Sequence, residues 1–301
     1  MILAYFLNFY MILFGRYIMI ENVKAIAADI DMTLTAKGGA LPELTKKAFD
    51  ILHENGVLIG LATGRELNDR LYNQGQEWGL DYPLDFLIGM NGGMLWDKEH
   101  GNVWTMDLMS RDTMKEILYF MKPIIDEYEV SVNVEGGGNH AAMHIKGELF
   151  ASMKRRGWVF DDYTGDIEGF CAKPCFKILF RTTPDVEKLI RERFLPVYGD
   201  RFQIISTFPG TVEVMDKGIT KGTGLARIAE KNNFSVNEVI AFGDNENDNP
   251  LLEMSGWGVC LANGSDGTKA IADDITRLVC EEGGAGDYLI EKYLKPKGLW
   301  K

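Results

Sequence analysis

The 301 residues are 46% hydrophobic and 25% charged, the proportions of a soluble globular chain, which sets aside wholesale disorder, collagen-like repeats and a polytopic membrane protein. A chain of this length is expected to hold two compact units. Acidic residues number 44 against 32 basic ones, and the resulting charge of −12 argues against a general nucleic-acid binder while still permitting a local cationic pocket.

Residues 1–20 are almost wholly apolar, broken by Asn8, Gly15 and Arg16, and approach the length of about 20 residues that a transmembrane helix needs. A secretory signal would want a basic start and a small-residue cleavage site, and neither is present. The preferred reading takes Met19 as the natural start and the upstream stretch as an over-extended one. Membrane contact is expected only if residues 1–20 are a genuine anchor.

From Val23 the chain alternates short apolar runs with helical patterns. Lys24 to Ile30, Val57 to Ala62, Asp85 to Met90, Glu238 to Phe242 and Gly256 to Ala262 are too short for helices and suit buried parallel strands. Between the first two, Pro42 opens a helix with Leu44, Ala48, Ile51 and Leu52 on one face, and Asn55-Gly56 stops it, making a β-α-β unit.

The middle of the chain reads differently. Met94 to Asp97 and Val103 to Leu108 flank a His100-Gly101 turn as in a hairpin, and Ser110 caps a helix toward Glu127 that Pro123 should kink or shorten. Further runs at Val130 to Val134, Ala142 to Lys146, Phe176 to Arg181, Phe202 to Thr207 and Thr211 to Met215, with a helix after Thr183-Pro184, predict an α+β insert with a mainly antiparallel sheet. The expected fold is therefore α/β, a doubly wound Rossmann-like core of residues 21–93 and 216–301 interrupted by an α+β cap of residues 94–215.

In open α/β sheets ligands bind beyond the carboxyl ends of the strands, so the residues closing each run belong together. The first run closes with Asp29-Ile30-Asp31-Met32-Thr33, and in an extended strand both carboxylates would point the same way. The second closes with Thr63-Gly64-Arg65, the third with Asn91-Gly92-Gly93 and the fourth with Gly243-Asp244-Asn245-Glu246-Asn247-Asp248, while Lys221-Gly222 precedes a helical pattern. Gathering Asp29, Asp31, Asp244 and Asp248 without a cation is costly, and an all-oxygen set favours magnesium. Lys221, the backbone near Thr63-Gly64 and the Asn247 amide would face the other side of a phosphoryl group.

These motifs in this order, D-x-D-x-T, A-T-G-R, N-G-G, K-G and G-D-x-x-N-D, make the chain resemble the haloacid-dehalogenase superfamily over about Val23 to Tyr293, specifically its Cof-type phosphatases with a type IIB cap. The resemblance implies Asp29 as the nucleophile that becomes an aspartyl phosphate, and Asp31 as the acid and base for the leaving group and water. It implies magnesium held by Asp29, the Asp31 carbonyl and Asp244, with Asp248 binding through water or orienting Lys221. It places Ile30, Thr63, Gly64, Lys221 and Asn247 around the phosphate, with Arg65 at the rim and Asn91 shaping it. The cap would close over the leaving group and supply specificity. The implied substrate is a small phosphorylated metabolite such as a sugar phosphate. The chain departs from the family at Met32, where glycine is usual, and the loop is expected to hold Met32 in an ordinary backbone region. Asn263-Gly264 stands where Asn-Ala is more usual.

Blander readings accompany several features. Asp29 and Asp31 could form an Asx-turn, Thr63 could cap a helix and Lys221 could be a surface lysine. His140 and His144 have the spacing of helical zinc ligands but fall in an expected strand. Lys154-Arg155-Arg156 reads as solvated surface or a cap contact to an anion; Glu135 to Asn139 reads as a flexible cap loop; Trp158, Phe160 and Tyr163 read as core or as a stacking surface. Cys171, Cys175, Cys260 and Cys280 fit neither a disulfide framework nor paired zinc spacing, so a reducing cytoplasm is the expected compartment. Two rival functions share the pocket: a phosphomutase that returns the phosphoryl group to a sugar hydroxyl, and a phosphometabolite-binding regulator without turnover.

Overall fold

The computed structural model describes residues 21–106, 108–155 and 157–301. The apolar segment 1–20, and with it the question of an anchor, lies outside the described residues; among these, no helix is long and apolar enough to cross a membrane. The chain divides into two compact units, one running to Trp104 and resuming at Lys221, the other spanning Thr105–Thr220.

The first unit begins with strand β1 (Ala25–Ala28), the helix Glu43–Glu54 and β2 (Leu58–Ala62), followed by β3 (Phe86–Gly89). These strands read as continuous apolar runs because both faces of the sheet are covered, and β1 and β3 are buried at every position. β4 (Met94–Asp97) runs antiparallel to β3, pairing Ile88 with Leu95, and β5 (Val103–Thr105) lies beyond it at the sheet edge. The hairpin expected at the start of the insert therefore extends the core sheet. This moves the boundaries from the expected 94 and 215 to 104/105 and 220/221, because β4 finds its partner in β3.

The second unit carries β6 (Ser131–Glu135), β7 (Ala141–Met143), β8 (Asp161–Asp162), β9 (Lys177–Arg181), β10 (Phe202–Phe208) and β11 (Thr211–Asp216), in the sheet order β10-β11-β9-β6-β7-β8. All pairs are antiparallel except β7 with β8. Val132, Val134, Ile178, Phe180, Val212 and Val214 form one cluster with Ile117, Leu118 and Met121 of the helix Arg111–Glu127 and Ile190 and Phe194 of the helix Pro184–Tyr198. The first of these helices runs on past Pro123 to Glu127, so the proline does not shorten it. The alternate positions of the same strands carry a buried ionic network: the Lys177 ammonium lies 3.0 Å from both Glu135 and Glu213, and Arg181 donates to the Asn133 side chain.

The first unit then resumes with the helix Lys221–Lys231 and strands β12 (Val239–Gly243), β13 (Trp257–Cys260) and β14 (Asp274–Ile275). The sheet order is β14-β13-β12-β1-β2-β3-β4-β5, parallel from β14 to β3. Chain order runs one way from β1 through β2 to β3 and the other way from β12 to β14. The topological switch point thus falls between β1 and β12, where an open α/β sheet forms its crevice.

Candidate active site

Register sets the first contact. Ala28 pairs with Phe242, so the residues just past β1 and β12 emerge side by side, and the Asp29 N–H donates to the Phe242 carbonyl. The loop after β1 closes tightly: Leu34 and Thr35 both donate to the Ile30 carbonyl, and Met32 donates to the Thr35 carbonyl at 2.7 Å. The strand has ended before this loop, so Asp29 and Asp31 do not point the same way, contrary to the extended-strand expectation. Asp29 meets Lys221 at 2.7 Å, whereas Asp31 is gripped by Arg65, with contacts of 2.6–2.9 Å from Nε and a terminal guanidinium nitrogen.

Lys221 opens its helix and is fully buried, with its ammonium also 2.6 Å from Asp248. The other Asp248 oxygen accepts from the N–H groups of Asp244 and Asn245, so this carboxylate holds both Lys221 and the loop after β12. That loop can turn so sharply because Gly243 has no side chain: a Cβ there would lie 2.3 Å from the Asp248 Cβ. Thr33 donates to Asp244 at 2.7 Å. This orienting role was not assigned from sequence, although Thr33 is the last letter of D-x-D-x-T.

The remaining motif residues join the same place. The Thr63 N–H is spent on the Ile88 carbonyl, and its hydroxyl accepts from the Arg65 N–H, so of Thr63 only the hydroxyl side remains a candidate for phosphate. Asn91 takes a left-handed conformation with φ 51°; its side-chain oxygen accepts from the Asn247 amide and lies 3.2 Å from where a Gly64 Cβ would be. Asn91 is thus a shaping residue that joins the second, third and last motifs. Met32 overturns its expectation: φ is 66°, the left-handed region that normally falls to glycine.

One carboxylate oxygen from each of Asp29, Asp244 and Asp248 lies within 4.8 Å of the others, and the Asp31 carboxylate, paired to Arg65, is not among them. Three carboxylates against one ammonium leave two uncompensated negative charges when all are ionised, in a largely buried place. Burial pushes the Asp29 carboxyl up to about 8, with Asp248 and Asp244 adding to the rise and Lys221 opposing it. Burial and then Asp248 carry Asp244 up to about 6, while the Thr33 hydrogen bond opposes. Burial works against the Lys221 charge, but the two carboxylates prevail and hold it firmly protonated. A divalent cation with oxygen preference fits this donor set and charge. His140 and His144 stand outside it, and all four cysteines are buried free thiols.

A family model described as haloacid dehalogenase-like hydrolase matches residues 26–289. The chain belongs to the haloacid dehalogenase-like hydrolases. It is a phosphatase of that family, as are the full-length relatives it matches. The 5-amino-6-(5-phospho-D-ribitylamino)uracil phosphatase YcsE of Bacillus subtilis is 26% identical over 265 residues, covering 88% of this chain and 94% of that one. The HMP-PP phosphatase of Klebsiella pneumoniae is 27% identical over 247 residues, covering 82% and 87%. The solved structure of a HAD subclass IIB sugar phosphatase superposes with a TM-score of 0.72 at 22% identity, covering 92% of this haloacid dehalogenase-like chain and all of the other, and so shares its fold.

Proposed function

We propose that this phosphatase hydrolyses the phosphomonoester of a small metabolite, a sugar phosphate being one such class, with magnesium and through an aspartyl phosphate on Asp29. The observation that carries the reading is the convergence of Asp29, Asp244 and Asp248 on one another around buried Lys221, at the switch point of the sheet.

Asp29 attacks phosphorus as the ester bond breaks, and Asp31 gives its proton to the departing oxygen. Asp31 then takes a proton from water, which attacks the same phosphorus and frees the Asp29 carboxylate. Asp31 is bound by Arg65 at rest, so it acts on the leaving group only after parting from the guanidinium. Lys221, aimed by Asp248, balances the phosphoryl charge, with the Thr63 hydroxyl, the Gly64 and Ile30 backbone and the Asn247 amide as further phosphate contacts. A bound magnesium ion would neutralise phosphoryl oxygens and would be held by Asp29, the Asp31 carbonyl and Asp244. Asp248 has both oxygens engaged and serves as the positioning group.

The relatives are named for different substrates, so the test uses a panel of phosphomonoesters with and without magnesium, scoring phosphate release. Asp29→Asn is expected to lose turnover while keeping its far-ultraviolet circular dichroism. Near-normal turnover in that variant, or no release by the folded wild type from any ester, refutes the reading.

A further inference from the structure

Met32 lies between Asp31 and Thr33 in a conformation that costs any residue with a Cβ and costs glycine nothing. Both of its peptide groups hold it there. Its N–H donates to the Thr35 carbonyl at 2.7 Å, and its carbonyl accepts from the Asn263 amide at 2.7 Å; Asn263 is in turn anchored by the Cys280 N–H. Met32 is 40% exposed, so burial in the core does not account for its presence. A strained, exposed apolar residue directly follows Asp31 in the chain, the residue assigned above to the leaving group, and strain held by surrounding bonds is what functional positions carry.

Resting on the phosphatase reading above, we infer that Met32 is a specificity-determining residue that favours phosphomonoesters whose leaving group presents an apolar or aromatic surface beside the ester oxygen. The atoms attached to that oxygen must pass Asp31 to be protonated, which brings them to the neighbouring residue. A thioether offers a polarizable, adaptable surface to an aromatic or aliphatic group. It gives no hydrogen bond to a hydroxyl that must shed water to lie against it. Asn263 and Thr35 supply the rigidity that keeps this surface in place.

Benzyl phosphate and ethyl phosphate, both esters of primary alcohols, separate leaving-group surface from intrinsic reactivity. Wild type is expected to show the higher kcat/KM on benzyl phosphate. Met32→Gly, which removes the side chain, and Met32→Gln, which keeps its length and its backbone burden but not its apolar character, should each lower the benzyl-to-ethyl ratio by about fivefold to tenfold. An unchanged ratio in Met32→Gly overturns the inference, as does a wild-type ratio retained by Met32→Gln, since the contact would then not be apolar. Absence of a wild-type preference overturns it too. Failure of the wild type to release phosphate from these and every other ester of the panel instead refutes the phosphatase reading on which it rests.

Discussion

Replacing Lys221 by Met removes the ammonium from two carboxylates 2.7 Å and 2.6 Å away, at a fully buried position. Stranding one partner of a buried pair costs about 3–5 kcal/mol. In the variant Asp248 keeps the N–H groups of Asp244 and Asn245 on one oxygen but loses the ammonium from the other. Asp29 behaves differently, because its carboxyl already titrates only near about 8 with Lys221 present. Below that pH it is folded as the neutral acid in both proteins and adds little to the difference. Above it the wild type ionises against Lys221, while the variant must retain a proton that its unfolded chain releases. Native Asp29 then binds more protons in the variant than in the wild type, and the gap widens with pH. The expected loss is about 3 kcal/mol near neutrality, growing by about 1.4 kcal/mol per pH unit above about pH 8. Urea unfolding of metal-free wild type and Lys221→Met at several pH values measures it. A loss below about 1 kcal/mol, or one that stays flat above about pH 8, refutes the charge balance described for the site.

Cation binding should share this pH dependence, because raised Asp29 and Asp244 must give up protons to a metal. Magnesium affinity is expected to strengthen from about pH 6 to about pH 8, by up to about tenfold per unit for each proton displaced, and the magnesium-induced rise in Tm should be larger at the higher pH. Equal Tm shifts at both ends would contradict it. Gly243→Ala puts a methyl group against Asp248 and must displace it from the Asp244 and Asn245 N–H groups; the expected cost is about 1–3 kcal/mol of stability, with phosphate release falling at least about tenfold. Wild-type stability and rate in that variant would show that Asp248 does not need its present place.

The gathering of the site was legible in the chain because parallel strands of a doubly wound sheet end on the same side. Asp29, Thr63, Asn91 and Asp244 each follow an apolar run, so once those runs are strands their closing residues must meet. Lys221-Gly222 was placed by its motif and the helical pattern that follows it; the structure adds the reason for the glycine, since a Cβ at Gly222 would lie 2.1 Å from the Pro250 carbonyl oxygen. Hydrophobic period and motif spacing are local properties, and they determined the fold class and most of the elements; of the four acidic residues expected together, Asp29, Asp244 and Asp248 meet and the Asp31 carboxylate does not.

Tertiary structure decided which partner each group takes. Nothing local distinguishes β4 as a strand of the core sheet from β4 as a strand of the insert, since the same alternating pattern serves either sheet; only pairing with β3 settles it. The diversion of Asp31 to Arg65 depends on the loop closing before a second strand residue can form, and the left-handed Met32 depends on bonds to Thr35 and to Asn263, more than two hundred residues away. Lys177, Glu135 and Glu213 likewise look like ordinary surface charges until three strands align them in a buried network. Short-range sterics and hydrophobicity are written in neighbouring residues, whereas charge compensation and backbone strain are fixed by atoms that only the folded chain brings within a few ångströms.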